Sequence, residues 1–74
     1  MDQGDDTIHI DRLYLYEFTE NAILVGPGEV QDTDKVWLPR SRVLGTDLEE
    51  KYDFGYIEIP RWLVMKEQLE IRWA

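Results

Sequence analysis

The sequence contains no cysteine and a single histidine. The first absence excludes a disulfide framework, a thiolate metal site and a thiol nucleophile, and the second leaves His9 without a partner imidazole for acid–base work. Apolar runs such as Ala22 to Val25 and Trp62 to Met65 reach only four residues, far short of the roughly twenty that a membrane-spanning helix needs. Cations are scarce, with eight Lys and Arg against sixteen carboxylates, for a formal net charge of -8. That balance disfavours direct nucleic-acid binding, which relies on Lys and Arg neutralising phosphates. A chain of 74 residues has a modest core, which argues against a deep substrate cleft and hence against an enzyme. Residues 1–6 carry no apolar side chain after Met1. They read as a flexible acidic leader, without a signal or transit segment, ahead of one small β-rich domain over 7–74, and a cytoplasmic location is the expectation.

The charge is unevenly placed. Residues 1–34 hold nine acids and one base, while residues 35–74 hold seven of each sign, so the whole excess lies in the first half. An acidic surface keeps a small protein soluble, and it also suits a partner with a basic surface.

Hydrophobic periodicity organises the chain. From Thr7 to Phe18, Ile8, Ile10, Tyr14, Tyr16 and Phe18 share one parity, interrupted by Arg12, while Leu13 and Leu15 fall on the other. This predicts a long strand bulged near Asp11-Arg12. Thr19-Glu20-Asn21 is a turn into a second strand at Ala22 to Val25, together a hairpin. Gly26-Pro27-Gly28 stops regular structure, and the polar stretch to Asp34 is a loop. Lys35 to Leu38 is a third strand that Pro39 ends. Gly45 to Asp53 reads as a charged loop, and Phe54 to Ile59 as a fourth strand with Ile57 and Ile59 on one face. Pro60 suits a helix start. The spacing of Trp62, Met65 and Leu69 predicts a short helix over 61–68 with that apolar face buried. Leu69, Ile71 and Trp73 then alternate with Glu70 and Arg72, the pattern of a closing strand. The expected fold is α+β, mostly β: a small antiparallel curled sheet or half-barrel of four to five strands with one short C-terminal helix.

Three residue sets are candidates for binding. The spread carboxylates Asp11, Glu17, Glu20, Glu29, Asp32 and Asp34 suit a basic partner surface. Tyr14 and Tyr16 join them as partner-facing aromatics from a set that includes Tyr52, Phe54 and Tyr56, since tyrosine covers area while keeping a polar tip. Trp37, Arg40, Ser41 and Arg42 form the densest mix of aromatic, basic and hydroxyl groups, able to stack a base or clamp a phosphate. Against that, Trp37 packing on the last helix and the two arginines pairing with the protein's own acids would explain the same residues. The acidic clusters lack the ligand spacing of a calcium loop, and Gly26-Pro27-Gly28 lacks the pattern of a phosphate-binding loop, so no metal or cofactor is expected.

The blocks Thr19-Glu20-Asn21-Ala22-Ile23-Leu24-Val25, Val36-Trp37-Leu38-Pro39-Arg40-Ser41-Arg42-Val43 and Ile57-Glu58-Ile59-Pro60-Arg61-Trp62-Leu63, with Leu69, resemble a family of small uncharacterised phage and prophage proteins. Its pattern is a Trp-aliphatic-Pro-basic-Ser segment followed by an aliphatic-Pro-x-Trp-Leu segment. The resemblance implies a phage origin and residence in the cytoplasm of an infected bacterial host, and it supplies no catalytic residue. Small acidic anti-defence proteins such as anti-CRISPRs are similar in composition.

Three readings follow. The first is a non-enzymatic acidic protein that inhibits or modulates a host protein handling nucleic acid or defence, acting as a nucleic-acid mimic. The second is a phage replication or recombination accessory that binds single-stranded nucleic acid or a nucleotide through the Trp/Arg patch. The third is a self-associating structural module. The chain is expected to be a monomer or homodimer with no membrane contact.

Overall fold

The computed structural model describes residues 6–28 and 34–73. Five strands form one open antiparallel sheet: β1 (Thr7–Phe18), β2 (Ala22–Gly26), β3 (Val36–Pro39), β4 (Gly45–Thr46) and β5 (Phe54–Pro60), in the order β3-β2-β1-β5-β4. A 3-10 turn at Arg40–Arg42 follows β3, and two short helices, α1 (Arg61–Lys66) and α2 (Leu69–Arg72), close the described chain. The α+β, mostly-β class expected from periodicity is what forms.

The long first strand is central because it pairs on both edges, and a bulge makes its burial consistent. Opposite β5, Ile10 faces Ile57 and Leu13 faces Gly55, so Asp11 and Arg12 together oppose Tyr56. Arg12 takes a left-handed conformation with φ 65°, which costs a non-glycine residue about 1–2 kcal/mol. The extra residue switches parity, so that Ile8 and Ile10 before the bulge share a face with Leu13 and Leu15 after it. A second irregularity lies between Leu15 and Glu17 against β2.

Twelve buried apolar residues form the described core: Leu13, Leu15, Ile23, Val25, Val36, Leu38, Leu48, Ile57, Ile59, Leu63, Val64 and Leu69. The strand members all lie on one face of the sheet, which α1 covers by packing on β5 and β1. Trp73 packs against the same core and donates its indole N–H to the Asp34 carbonyl at 2.6 Å, tying the C-terminal turn to the start of β3.

The C-terminal region departs from the periodicity reading. Residues 69–72 are helical where a closing strand was expected. Gln68, in the left-handed region at φ 58°, turns the chain so that Leu69 enters the core and Arg72 donates its N–H to the Gln68 carbonyl. Local helical bonds thereby satisfy the backbone without a sheet edge. The fifth strand is instead Gly45–Thr46, inside the segment read as a charged loop, and it pairs Gly45 with Glu58 and Thr46 with Ile57. Helix α1 stops at Lys66 and buries Leu63 and Val64, leaving Trp62 and Met65 exposed. Leu63 and Val64 join buried Ile59 in the core, as does Leu69 of the expected stripe, while Trp62 and Met65 turn outward. Of the expected leader, residues 1–5 lie outside the described residues. Asp6 is anchored, its carboxylate 3.4 Å from Arg61 and its carbonyl accepting the Arg61 N–H at 3.0 Å.

Candidate binding face

The pleat sends alternate residues to the side of the sheet away from the helices. Register places His9 with Glu58, Tyr14 with Phe54, and Leu24 with both Glu17 and Trp37 on that side. Tyr16 and Tyr56 fall on it as the residues at the two bulges. Trp37 is 47% exposed and Phe54 58%, so this outer face is open among the described residues. The rings fall into two groups of neighbours. Tyr14 lies 4.8 Å from Phe54 and 6.2 Å from Tyr16, and His9 stacks on Tyr56 at 4.8 Å.

Next to the first of these groups, Tyr14, Tyr16, Gly28 and Tyr52 line a shallow open depression of about 250 Å³. Each wall is held by backbone. The Tyr16 hydroxyl donates to the Pro27 carbonyl at 2.8 Å. Gly28 presses against the Tyr14 ring so closely that a Cβ there would stand 2.8 Å from Cε1, which is the local reason for glycine at the end of Gly26-Pro27-Gly28. Tyr52 is left-handed at φ 71°, and its N–H bonds the Leu15 carbonyl at 2.6 Å, so the 49–53 loop continues the β1 ladder. The Asp53 carboxylate holds that loop by accepting the N–H of Glu49 at 2.8 Å and of Glu50 at 2.9 Å. The N–H of Glu50 first, and then that of Glu49, hold the Asp53 pKa below the ordinary carboxylate value. Gly55 is required nearby, since a Cβ would collide with the Asp47 carboxylate, which accepts the Tyr56 N–H at 2.9 Å.

Charge is interleaved with the rings. Asp11 and Glu58 flank His9 at 3.9 and 3.1 Å, and Glu17 meets Lys51 at 3.5 Å with both side chains about half exposed. Such surface pairs contribute little to stability and leave the charges available to a partner. Lys35 Nζ lies 4.3 Å over the Tyr16 ring and Lys51 Nζ 5.7 Å over Tyr52.

The candidate residues are thus partly assembled. Asp11, Glu17, Tyr14 and Tyr16 belong to the outer face, and Glu20 sits exposed at the hairpin tip. Asp34 is half-buried beside Trp73, while Glu29 and Asp32 lie outside the described residues. The Trp37, Arg40, Ser41, Arg42 set is not gathered on one surface. Trp37 stands on the outer face, opposite the helices, so it does not pack on the last helix. Arg40 bonds the Thr19 carbonyl at 2.8 Å and lies over Phe18, and Arg42 lies over Trp62. The 3-10 turn at Arg40–Arg42 separates them. Glu58 and Tyr52 are additional members of the face. Glu58 was legible from its alternation with Ile57 and Ile59, whereas the position of Tyr52 depends on the loop's return to β1.

Among the described residues no group of three or more His, Cys, Asp or Glu is placed to hold a metal, and no helix is long and apolar enough to cross a membrane. The chain matches no family model, no curated protein and no solved structure.

Proposed function

We propose that this is a non-enzymatic, phage-type acidic binding protein whose outer sheet face docks on a basic surface of a host protein that handles nucleic acid or defence. One observation carries the reading: aromatic side chains, interleaved with Asp11, Glu17 and Glu58, lie on the side of the sheet that is open among the described residues, while its other side holds the core. Aromatic anchors set among polar groups are the usual make-up of an interface centre, and carboxylates among them select a cationic partner. An acidic chain also steers toward basic surfaces at long range. The phage attribution rests on the resemblance in the proline-anchored blocks.

The test compares capture from a bacterial host lysate by the tagged protein and by a Trp37→Ser, Phe54→Ser, Tyr56→Ser variant of unchanged circular dichroism. A basic protein retained by the wild type, lost by the variant and weakened by salt is the expected result. A partner held equally by both overturns the docking face. A second reading, stacking of single-stranded nucleic acid on the same rings, is favoured by the lysine ammoniums beside Tyr16 and Tyr52. Tryptophan fluorescence titrated with an oligonucleotide at low salt tests it, and absence of quenching at high micromolar concentration removes it.

A further inference from the structure

The helix side of the molecule carries an apolar surface that is open among the described residues. At 3.6 residues per turn, Trp62 and Met65 stand about 150° around α1 from the buried pair Leu63 and Val64, so both point away from the sheet. Trp62 is 48% exposed, Met65 68% and, on α2, Ile71 79%. The three are contiguous through Met65. It lines one depression of about 190 Å³ with Val64, Gln68, Glu70 and Ile71, and another of about 200 Å³ with Asp6, Arg61 and Trp62. Contiguous exposed apolar side chains of this size mark an interaction surface. A protruding Met65 shared by two recesses is a knob beside holes, the shape that lets one surface pack on its own copy about a two-fold axis.

Charge identifies the occupant. Around the patch, among the described residues, stand the cations Arg42 over Trp62, Arg61, Lys66 and Arg72, and the carboxylates Asp6, Glu67 and Glu70. The two signs nearly balance here, while the whole chain stands at -8. A strongly basic or strongly acidic partner finds no excess charge to select it. Two copies of this chain, which repel one another through their acidic surfaces, meet here without a like-charge field and with both signs at the rim. We propose that the Trp62, Met65 and Ile71 surface is a two-fold interface with a second copy of this chain. About a dozen residues take part, half of the roughly 20–30 a side of a standard interface, so the dimer is weak, with a dissociation constant of about 10–500 µM. Pairing through the helices leaves both outer sheet faces pointing outward. The dimer therefore presents the aromatic and acidic face twice, and grips an extended or repeated basic surface with avidity.

Sedimentation equilibrium of the whole protein from about 5 µM to about 1 mM tests this. The average mass should rise from 8.8 kDa toward twice that value. Met65→Glu, at an exposed side chain, should keep the circular dichroism and weaken the dimer by at least about tenfold, because the substitution enters a two-fold interface twice. Ile71→Glu should act in the same way, and Phe54→Ser on the outer face should leave the dimer unchanged. Added salt should strengthen it, since salt screens the repulsion between two acidic chains while the interface itself is near neutral. Amide NMR shifts on dilution should centre on residues 61–72. A monomer at about 1 mM, a mass that climbs past two copies, or a dimer insensitive to Met65→Glu overturns the assignment. So does weakening by salt or by Phe54→Ser, the signature of an acidic outer face packing head-to-tail on the helices. Monomeric protein that floats with anionic phospholipid vesicles and is released by Met65→Glu assigns the patch to a membrane surface instead. Loss of the dimer leaves capture by a single outer face in place, so failure here and failure of the docking face are distinguishable.

Discussion

Removing Arg12 from β1 should leave the fold intact, whereas removing Tyr14, two residues further on, should not. Asp11 and Arg12 together oppose Tyr56, while Ile10 and Leu13 are already in register with Ile57 and Gly55. Deleting Arg12 therefore leaves one residue opposite Tyr56 and a regular ladder, with Ile8, Ile10, Leu13 and Leu15 still on the core face. The deletion removes a left-handed residue costing about 1–2 kcal/mol and regularises a ladder in which each hydrogen bond contributes about 0.5–1.5 kcal/mol. It loses the local twist of the bulge. Stability should stay within about 1 kcal/mol of wild type or rise. Deleting Tyr14 makes Leu13 and Leu15 neighbours, so one of these buried side chains must leave the core, and the Tyr14–Phe54 contact goes with it. On the scale of large-to-small core changes that is about 3–5 kcal/mol, a large part of the roughly 4–11 kcal/mol expected for a chain of this length. Urea unfolding followed by far-ultraviolet circular dichroism reads both. Equal losses for the two deletions would refute the two-against-one pairing and the parity argument built on it.

Other consequences are equally open to measurement. Leu38→Ala, at a side chain with 0% exposure, should cost about 2–5 kcal/mol and lower the thermal midpoint by about 4–8 °C per kcal/mol, as read by thermal denaturation. Tyr16→Phe removes the hydrogen bond to Pro27 and should cost about 1 kcal/mol, with larger hydrogen-exchange rates around 26–28. The Asp53 carboxyl is held below its ordinary pKa by the Glu50 and Glu49 N–H groups. Its stabilisation is therefore fully present above the unfolded-state value of about 3.9 and is lost as pH falls through the lower folded-state pKa. Asp53→Asn should be less stable than wild type at neutral pH, and unfolding curves of the two should converge in strong acid.

Periodicity alone determined most of the sheet. The 12-residue β1, its bulge at Asp11-Arg12, the Thr19 turn, β2, β5 and the proline start of α1 were all legible, because each is dictated by local alternation or by turn chemistry. The aromatic set Tyr14, Tyr16, Tyr52, Phe54 and Tyr56 was legible as a set, and its convergence on one side was not. Parity placed Tyr14 and Tyr16 with Ile8 and Ile10, and only the bulge, a pairing between distant strands, moved them to the opposite face. The failures share one cause. The closing strand at 69–73, the loop at Gly45, the buried face of α1 and the Trp37–Arg40–Arg42 patch were read from local patterns at segments too short for such a pattern to decide. What decided them was the availability of an edge on β5 for Gly45–Thr46, the left-handed Gln68, and the 3-10 turn that parts Trp37 from the arginines. The acidic first half was visible in composition, but its meaning as carboxylates set among open aromatic rings depends on which side of the sheet the helices cover.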